Sequence, residues 1–404
     1  MDKRPVLVVT VALIIVVIII SAVAFNMLAG TSSKGSITNT AVSRNTTIIN
    51  TTTGTSTVTT QNIASSISLV GGGSTLINPQ MSLWARVYGN ITSGRILVNY
   101  QSIGSAAGQR GVLDGSLDFG ASDIPMTPDN YRMAQSKGLR IIQFPIIAGS
   151  VAVVYNLPTW NNATCGPLRL SAEVIAGIYL GKIVYWDDPK IVELQIDECK
   201  RYLPHREIIG VHRSDGSGTT ALFTMFLSKT VPEWNSTVGY GLTVNWPIDQ
   251  LGRGVGGKGN EGVTAAIKQT PYSIGYVEPI YAIRENLPIA AIRNKDGNFV
   301  LPTEENVQEA LKRGAKDLPP LDQDLSLLPL SFIYQDGSNT YPIVGTPFVI
   351  ISLNQSNVKL LALKEFFRWV LTEGQSTQYI LPGYLPLPQE LTGKILNYLD
   401  QYIK

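Results

Sequence analysis

The stretch Arg213-Ser214-Asp215-Gly216-Ser217-Gly218-Thr219 decides the fold, because it lies between two segments of different character. The segment Glu207-Ile208-Ile209-Gly210-Val211 precedes it and predicts a strand, whereas the apolar run from Ala221 to Leu227 predicts a helix. The unpaired N–H groups at a helix start favour a bound oxyanion. The Arg213 guanidinium adds a cation that matches phosphate or carboxylate. An ordinary glycine turn capped by serine or threonine is the other interpretation of the same residues.

Two further segments have the same order of strand, glycine turn and helix. Ile67-Ser68-Leu69-Val70 runs into Gly71-Gly72-Gly73-Ser74-Thr75-Leu76, and a helix is predicted from Pro79 to Tyr88. A strand at 95–100 leads into the polar turn at 101–108. Strands that alternate with helices predict an α/β fold with largely parallel sheets. Ligands of such sheets bind beyond the carboxyl ends of the strands, so three such turns favour oxyanion binding over ordinary turn chemistry.

Two other segments contribute to this pattern. Asp123 follows the short apolar segment 117–122, and it is either a turn residue before Pro125 or a member of the site. The segment from Gly252 to Gly262 is dense in glycine and precedes a predicted helix that ends at Lys268. A nucleotide-binding loop of the Gly-x-x-x-x-Gly-Lys-Ser/Thr type does not occur in the chain.

Composition limits the classes of partner. The 404 residues are 44% hydrophobic and 15% charged, and the formal net charge is +2. A chain of this length predicts two domains of ordinary size. This composition is typical of a packed globular protein, and the absence of a basic cluster argues against a nucleic-acid partner. An anion would therefore be recognised by a few residues at one site and not by the overall charge of the protein.

The N-terminal 66 residues predict a membrane anchor followed by a stalk. Residues 5–25 are almost entirely apolar and follow Lys3 and Arg4, so they are long enough to span a bilayer with the N-terminus in the cytoplasm. A cleaved signal peptide is the alternative, since Ala22-Val23-Ala24 resembles a cleavage site. Residues 31–66 contain 19 Ser or Thr among 36 residues and predict an extended extracellular tether.

The cysteines and the glycosylation motifs fit an exported body. Cys165 and Cys199 are expected to form one disulfide in an oxidising exterior. We predict no metal site, because the chain has two cysteines without close spacing and two histidines. Asn-x-Ser/Thr sequons would imply a surface glycoprotein. They begin at Asn45, Asn50, Asn90, Asn162, Asn235 and Asn354.

Two alternative functions follow from the residues. A secreted phosphate-ester hydrolase would use Ser217 as its nucleophile, with His212 nearby in the sequence. The string Gly216-Ser217-Gly218 is not the Gly-x-Ser-x-Gly elbow of hydrolases, and no base is clearly assigned. A stalked surface glycoprotein with a structural role is the other alternative.

Taken together, the ordered motifs resemble the extracytoplasmic phosphate-binding proteins of phosphate ABC importers. The resemblance covers about residues 67–387. It is carried by the turns quoted above and by segments spread over the chain: Asn99 to Ser105, Asp118 to Asp123, Tyr179 to Ile183, Trp186 to Asp188, Gly256 to Val263 and Ile274 to Glu278. The membrane anchor and the stalk are similar to those of archaeal surface binding proteins.

The resemblance implies a two-lobe periplasmic-binding-protein fold of type II, with a mixed sheet flanked by helices in each lobe and two hinge crossovers. Lobe I would comprise residues 67–147 and 279–404, and lobe II residues 148–278, after an anchor at 1–30 and a stalk at 31–66. The crossovers are expected near 145–150 and 277–281.

The resemblance also implies a set of phosphate ligands. It consists of Thr75, Leu76, Ser105, Asp123, Arg213, Ser217, Gly218 and Thr219, supported by Ser74, Gly104 and Asp215. Asp215 would orient Arg213. The family usually has an aromatic residue where Leu76 stands, but a backbone N–H remains there. The implied function is phosphate capture without catalysis or a cofactor, by a monomeric body that delivers phosphate to a permease.

Overall fold

The computed structural model describes residues 66–314 and 325–404 of the chain. The predicted anchor at 1–30 and the stalk at 31–66, apart from its last residue, lie outside the described residues. Within the described residues, no helix is long and apolar enough to span a membrane.

The described residues contain fourteen strands. They are β1 (Ile67–Gly73), β2 (Ile96–Ser102), β3 (Phe119–Ser122), β4 (Ile141–Pro145), β5 (Gly149–Ser150), β6 (Ala152–Asn156), β7 (Arg169–Leu170), β8 (Ile209–Arg213), β9 (Gly254–Gly257), β10 (Ser273–Val277), β11 (Ala291–Arg293), β12 (Phe299–Val300), β13 (Val344–Gly345) and β14 (Phe348–Ser352).

The same residues form fourteen α-helices and several short 3₁₀ turns. The helices are α1 (Asn78–Ile91), α2 (Ser105–Asp114), α3 (Pro128–Ser136), α4 (Asn162–Cys165), α5 (Ala172–Tyr179), α6 (Pro189–Val192), α7 (Gly218–Thr230), α8 (Pro232–Thr237), α9 (Pro247–Gln250), α10 (Gly259–Gln269), α11 (Pro279–Glu285), α12 (Glu304–Gly314), α13 (Asn357–Leu371) and α14 (Gln389–Tyr402).

Two larger sheets organise the fold. The first has the order β2-β1-β3-β14-β4, and the second has the order β6-β10-β8-β9. Strand β1 is parallel to β2 and β3, whereas β14 is antiparallel to β3 and β4. In the second sheet β8, β9 and β10 are parallel and β6 is antiparallel to β10. The expectation of α/β architecture with mixed sheets flanked by helices is confirmed.

Two smaller sheets join distant parts of the chain. Strand β11 pairs with β7 and β12, so residues 291–300 lie beside residues 169–170. Strand β13 pairs with β5, which lies within the predicted crossover at 145–150. The lobe boundaries after residues 147 and 278 stay predictions.

Each larger sheet packs against its own aromatic cluster. In the first, the ring of Phe367 on α13 meets Phe119 and Phe144 edge to face, with ring centres 5.1 and 5.7 Å apart. In the second, Phe223 on α7 stacks on Tyr276 of β10 at 4.2 Å. Buried aromatic pairs of this kind stabilise beyond the apolar area they bury. The sheets are therefore rigid supports for the turns that follow their strands.

The glycine-dense segment differs from its sequence interpretation. Residues 254–257 form the edge strand β9, and helix α10 begins at Gly259, inside the segment. A Cβ at Gly257 would lie 2.5 Å from the backbone nitrogen of Val263, so the glycine lets the strand and the helix approach closely. A sheet partner, β8, determines the extended conformation of the segment.

Candidate functional site

The candidate site lies where parallel strands of both larger sheets end. Ser74 and Thr75 follow β1, and Asp123 follows β3. Asp215 follows β8, and Asn260 follows β9. Hydrogen bonds from Asn260 to Thr75 and from Thr219 to Asp123 connect the turns of the first sheet to those of the second. This is the position at which α/β sheets bind ligands.

Asp123 is the buried acid of the site, with 1% of its surface exposed. The Ser74 hydroxyl donates to Oδ1, and the Thr219 hydroxyl donates to Oδ2 at 3.2 Å. Burial raises the pKa of Asp123 to about 6, although the hydroxyl donors and the Arg213 charge act in the opposite direction. The carboxyl therefore ionises near pH 6 and is an acceptor for hydrogen bonds at neutral pH.

Arg213, which is buried, and Asp215, which is partly buried, form an ion pair on the other side of the site. The Arg213 Nε donates to Asp215 Oδ1 at 2.7 Å, and Nη2 donates to Oδ2. The Gly259 N–H also donates to Asp215 Oδ1, at 3.0 Å. Burial acts to raise the pKa of Asp215, but the Arg213 hydrogen bonds and charge hold it below its ordinary value. The carboxylate thus contacts the guanidinium at two points, and the predicted role of Asp215 in orienting Arg213 for an anion stays a prediction.

Two glycines let the turns of the two sheets approach. A Cβ at Gly218 would lie 2.5 Å from the Asp123 Cβ and 2.6 Å from the Ser105 hydroxyl oxygen. A Cβ at Gly104, where φ is +88°, would lie 2.5 Å from Asp215 Oδ2. The amino ends of helices α2 and α7 are thereby adjacent. Their N-terminal N–H groups and positive dipole ends favour an anion between them.

Asn260 is a site residue that the sequence interpretation missed. It is fully buried, and its side-chain Nδ2 donates to the Thr75 hydroxyl at 2.8 Å and to the Thr219 hydroxyl at 3.4 Å. Its backbone N–H donates to the same Thr75 oxygen at 3.1 Å. The feature of the sequence that could have identified Asn260 is its position in the segment Gly256 to Val263, directly before a predicted helix. The residue links the first sheet to the second.

Leu76 and Ser217 are buried, and several of their polar groups already have partners. The Leu76 carbonyl accepts from the Tyr384 hydroxyl. Ser217 is the N-cap of α7, because its hydroxyl oxygen accepts from the Thr220 N–H at 3.1 Å. Its own N–H donates to the Leu242 carbonyl at 2.7 Å. The structure thus brings the predicted residues to one region, and their roles as phosphate ligands stay predictions.

The contacts of the two histidines give no support to the hydrolase alternative. His212 Nε2 lies 2.7 Å from Asp249 Oδ1, and its ring stacks on Trp246. His205 pairs with Asp187 instead. Neither histidine is hydrogen-bonded to Ser217 in the described part of the chain. Residues 66–314 and 325–404 also contain no group of three side chains that could hold a metal ion.

The predicted disulfide is confirmed, since Cys165 and Cys199 are joined. The bond connects helix α4 to the 3₁₀ turn Asp197–Tyr202. It closes a loop with a sequence separation of 34 residues. Such a bond stabilises the fold mainly by restricting the unfolded chain.

An α/β body with two mixed sheets and a polar site at their strand ends is the architecture of two-lobe substrate-binding proteins. The model of the PBP superfamily domain matches residues 47–373. The phosphate-binding protein PstS of Methanocaldococcus jannaschii is 40% identical over 341 residues, which cover 83% of this chain and 86% of that protein. The phosphate-binding protein PstS of Pasteurella multocida is 38% identical over 331 residues, which cover 81% and 88%.

A solved structure has the same fold. The phosphate ABC transporter substrate-binding protein of Clostridium perfringens, a crystal structure with bound phosphate, gives a TM-score of 0.54 at 17% identity and covers 80% of this chain and 100% of its own. The chain belongs to the PBP superfamily and, within it, to the family of phosphate-binding proteins.

Proposed function

We propose that this protein captures inorganic phosphate between its two sheets and delivers it to the permease of an ABC importer. The observation that carries the proposal is the position of Asp123, a buried carboxylate among hydroxyl groups and close enough to Arg213 to be influenced by its charge. The names of the similar proteins from M. jannaschii and P. multocida support the same ligand.

The proposed ligands divide into donors and one acceptor. Phosphate oxygens would accept hydrogen bonds from the Arg213 guanidinium, from the backbone N–H groups of Leu76 and Gly218, and from the hydroxyls of Thr75, Ser105, Ser217 and Thr219. On binding, the Thr219 hydroxyl would turn its hydrogen from Asp123 to the ligand. The Asp123 carboxylate would accept the hydrogen that phosphate retains near neutral pH, as a charge-assisted bond. Sulfate carries no such hydrogen, so its oxygens would face the carboxylate lone pairs. A site built around one substrate hydroxyl can reject an analogue without it by about 10⁴-fold.

Titration calorimetry on the full chain with phosphate and with sulfate at pH 7.5 tests this proposal. Asp123 is ionised at this pH, because its pKa is about 6. We expect tight binding of phosphate and no detectable binding of sulfate. The Asp123→Asn variant should bind phosphate more weakly and discriminate less against sulfate. The exposed Asp129, which pairs with Arg132, gives the control Asp129→Asn with unchanged affinities. Equal affinity of the wild-type chain for the two anions would refute the proposal.

Binding without hydrolysis is part of the proposal. The Ser217 hydroxyl caps α7 and is not hydrogen-bonded to a described histidine. We therefore expect no turnover of a chromogenic phosphomonoester by the full chain. Turnover that disappears in Ser217→Ala would instead support the hydrolase alternative.

We further propose that residues 1–30 anchor the protein in the membrane, that residues 31–66 separate the body from the bilayer on the extracellular side, and that the body is monomeric. The asparagines of the four sequons in the described residues, Asn90, Asn162, Asn235 and Asn354, are exposed, which suits glycans. The intact mass of the native protein tests whether the N-terminal segment is retained and whether glycans are attached. A mass without residues 1–24 would indicate a cleaved signal peptide, and a mass equal to that of the bare chain would exclude glycans.

A further inference from the structure

Glu278 is a buried acid that the proposed binding mechanism does not use. It lies at the junction between strand β10 and helix α11 and is fully buried. Its Oε2 accepts from the Ile280 N–H at 2.8 Å. Its other oxygen, Oε1, has no hydrogen-bond partner among the described residues. An ionised carboxylate with an unpaired buried oxygen is unfavourable, because the lost hydration is not replaced.

The charged and titratable groups around Glu278 do not neutralise it. Asp123 after β3 and Tyr384 face it from other parts of the fold, and Tyr281 and Arg284 belong to its own helix α11. Arg284 is exposed, so its charge is screened by water. Burial raises the pKa of Glu278 well above its ordinary value, and Asp123 acts in the same direction. The surroundings therefore favour the neutral acid.

Tyr384 provides an acceptor for a proton on Glu278. The single hydroxyl hydrogen of Tyr384 is already donated to the Leu76 carbonyl. The phenol oxygen can still accept a hydrogen bond, and it lies beside the Glu278 carboxyl. Gly383 brings this loop close, since a Cβ there would lie 3.1 Å from Glu278 Oε1. A neutral Glu278 fits these contacts, whereas a carboxylate would find no hydrogen left on Tyr384.

The same junction supports the turn that contains Thr75 and Leu76. The Glu278 N–H donates to Asn260 Oδ1 at 3.0 Å, and the Asn260 amide donates to the Thr75 hydroxyl. The neighbouring Tyr281 hydroxyl lies 2.7 Å from the Thr75 carbonyl oxygen. Two proposed phosphate ligands are thus held in place by groups around Glu278.

We propose that Glu278 is a positioning residue of the anion site that carries a proton, and that loss of this proton weakens anion binding. The consequence for binding depends on the phosphate-binding function proposed above. A proton on Oε1 lets Glu278 donate to Tyr384, which holds Leu76. Without the proton, the site gains a second buried negative charge next to Asp123, and this added charge repels the anion. Anion affinity is therefore favoured at low pH and falls as the pH rises through the pKa of Glu278 in the folded protein.

The Glu278→Gln variant tests this proposal, because glutamine has the shape of the protonated acid and cannot ionise. Phosphate affinity of the full chain would be measured by calorimetry from pH 6 to pH 10 for both proteins, and the ratio removes the ionisation of phosphate itself. Infrared spectra of the two proteins would show whether the carbonyl band of a protonated carboxylic acid is present in the wild type and absent from the variant. Glu390→Gln, which changes an exposed carboxylate paired with Lys394, is the control.

We expect the infrared band of the protonated acid in the wild type at pH 7. At every pH where this band persists, the phosphate affinities of the wild type and Glu278→Gln should agree within about threefold. Where the band is lost at higher pH, wild-type affinity should fall at least tenfold below that of the variant. A missing band at pH 7 would overturn the proposal. So would a variant affinity more than tenfold lower than that of the wild type at pH 7.

Melting temperatures without phosphate separate this proposal from the proposed function. A pKa raised by folding adds stability below the pKa of the unfolded chain, and that stability is lost as the pH rises through the pKa of the folded protein. The melting temperature of Glu278→Gln should therefore rise relative to that of the wild type as the pH increases from the pKa of the unfolded glutamate to the pH at which the infrared band disappears, and the difference should then level off, whereas Glu390→Gln should show no such trend. If neither the wild type nor the variants bind phosphate, the proposed function fails, but the infrared band still decides whether Glu278 holds a proton.

Discussion

The turn that contains Asp123 and the turn that contains Asp215 border the same site but hold their carboxyl groups in different surroundings. Asp123 accepts hydrogen bonds from the hydroxyls of Ser74 and Thr219, and burial raises its pKa to about 6. Asp215 accepts two hydrogen bonds from Arg213, and its pKa is lowered. Both acids come from turns after strands, so the residue type alone does not distinguish them.

The difference shows that partners decide the role of a buried acid. A carboxylate fixed by a bidentate guanidinium has its charge compensated and serves as a support. A carboxylate surrounded by neutral hydroxyls keeps its capacity to accept a hydrogen from a ligand. We therefore propose that Asp123 recognises protonated phosphate and that Asp215 orients the cation.

The largest effect is expected for Arg213→Ala. The guanidinium would make charge-assisted hydrogen bonds to phosphate, each of about 1.5–3 kcal/mol. Loss of two such bonds predicts that phosphate affinity, measured by calorimetry, falls by about a hundredfold or more. The variant also leaves Asp215 without its cation next to the anion.

A second buried arginine provides the control for this variant. Arg253 donates to the backbone carbonyls of Ile208 and Gly181 at 3.3 and 3.1 Å and is not among the proposed ligands. Arg253→Ala should lower the melting temperature but leave phosphate affinity within about threefold. Equal losses of affinity in the two variants would contradict the separate role of Arg213.

The second prediction concerns the pH dependence that burial imposes on Asp123. Its folded pKa of about 6 exceeds the ordinary value of 3.8, so its contribution to stability is full below the unfolded pKa and is lost as the pH rises through 6. Between pH 4 and pH 7.5, phosphate-free Asp123→Asn should therefore gain about 3 kcal/mol of unfolding free energy relative to wild type. Denaturant unfolding at several pH values measures the difference. A constant difference would show that Asp123 is not destabilised by burial.

Asp215→Asn should have a smaller effect on binding and the opposite pH dependence. Asparagine keeps one acceptor for Arg213 but removes the charge, so we expect phosphate affinity to fall by about tenfold, or about 1.4 kcal/mol. Because the pKa of Asp215 is lowered by folding, its stabilisation is present above the unfolded pKa and is lost as the pH falls through the folded pKa. Denaturant unfolding of the two proteins should therefore converge in acid. A stability deficit that grows in acid would break the contrast between the two aspartates.

The smallest effect is expected for Ser105→Ala. The Ser105 hydroxyl oxygen accepts from the Asp123 N–H at 3.3 Å, and it would donate one neutral hydrogen bond to phosphate. A net contribution of about 1 kcal/mol predicts roughly a fivefold loss of affinity by calorimetry. The exposed Ser116 provides the control Ser116→Ala, for which we expect no change. A loss larger than that of Arg213→Ala would reverse the proposed order of ligands.

Local sequence patterns were sufficient to predict several elements. Strand β1 and helices α1 and α7 lie where the apolar runs and the glycine turns predict them. Helix α3 also begins at a local signal, a threonine followed by proline, and the Thr127 hydroxyl oxygen caps it by accepting from the Asn130 N–H. These signals are short in range, so they can be recognised without knowledge of the sheet.

Other features could not be predicted because they depend on partners distant in the sequence. The edge strand β9 forms in a glycine-dense segment because β8 supplies its hydrogen bonds. Asn260 acquires its role from Thr75, which lies 185 residues away. Glu278 belonged to a quoted motif, but its lack of a partner at Oε1 depends on Tyr384 and Gly383 from the end of the chain.

The sequence by itself determined the order of strands, turns and helices, the residue types in each turn and the resemblance to phosphate-binding proteins. It did so because helix starts, glycine turns and apolar runs depend on neighbouring residues. Only the tertiary structure decided which acid is paired with a cation, which one is surrounded by hydroxyls and which one lacks a partner. Burial and long-range hydrogen bonds set those properties, and they exist only when strands distant in the sequence end at the same place.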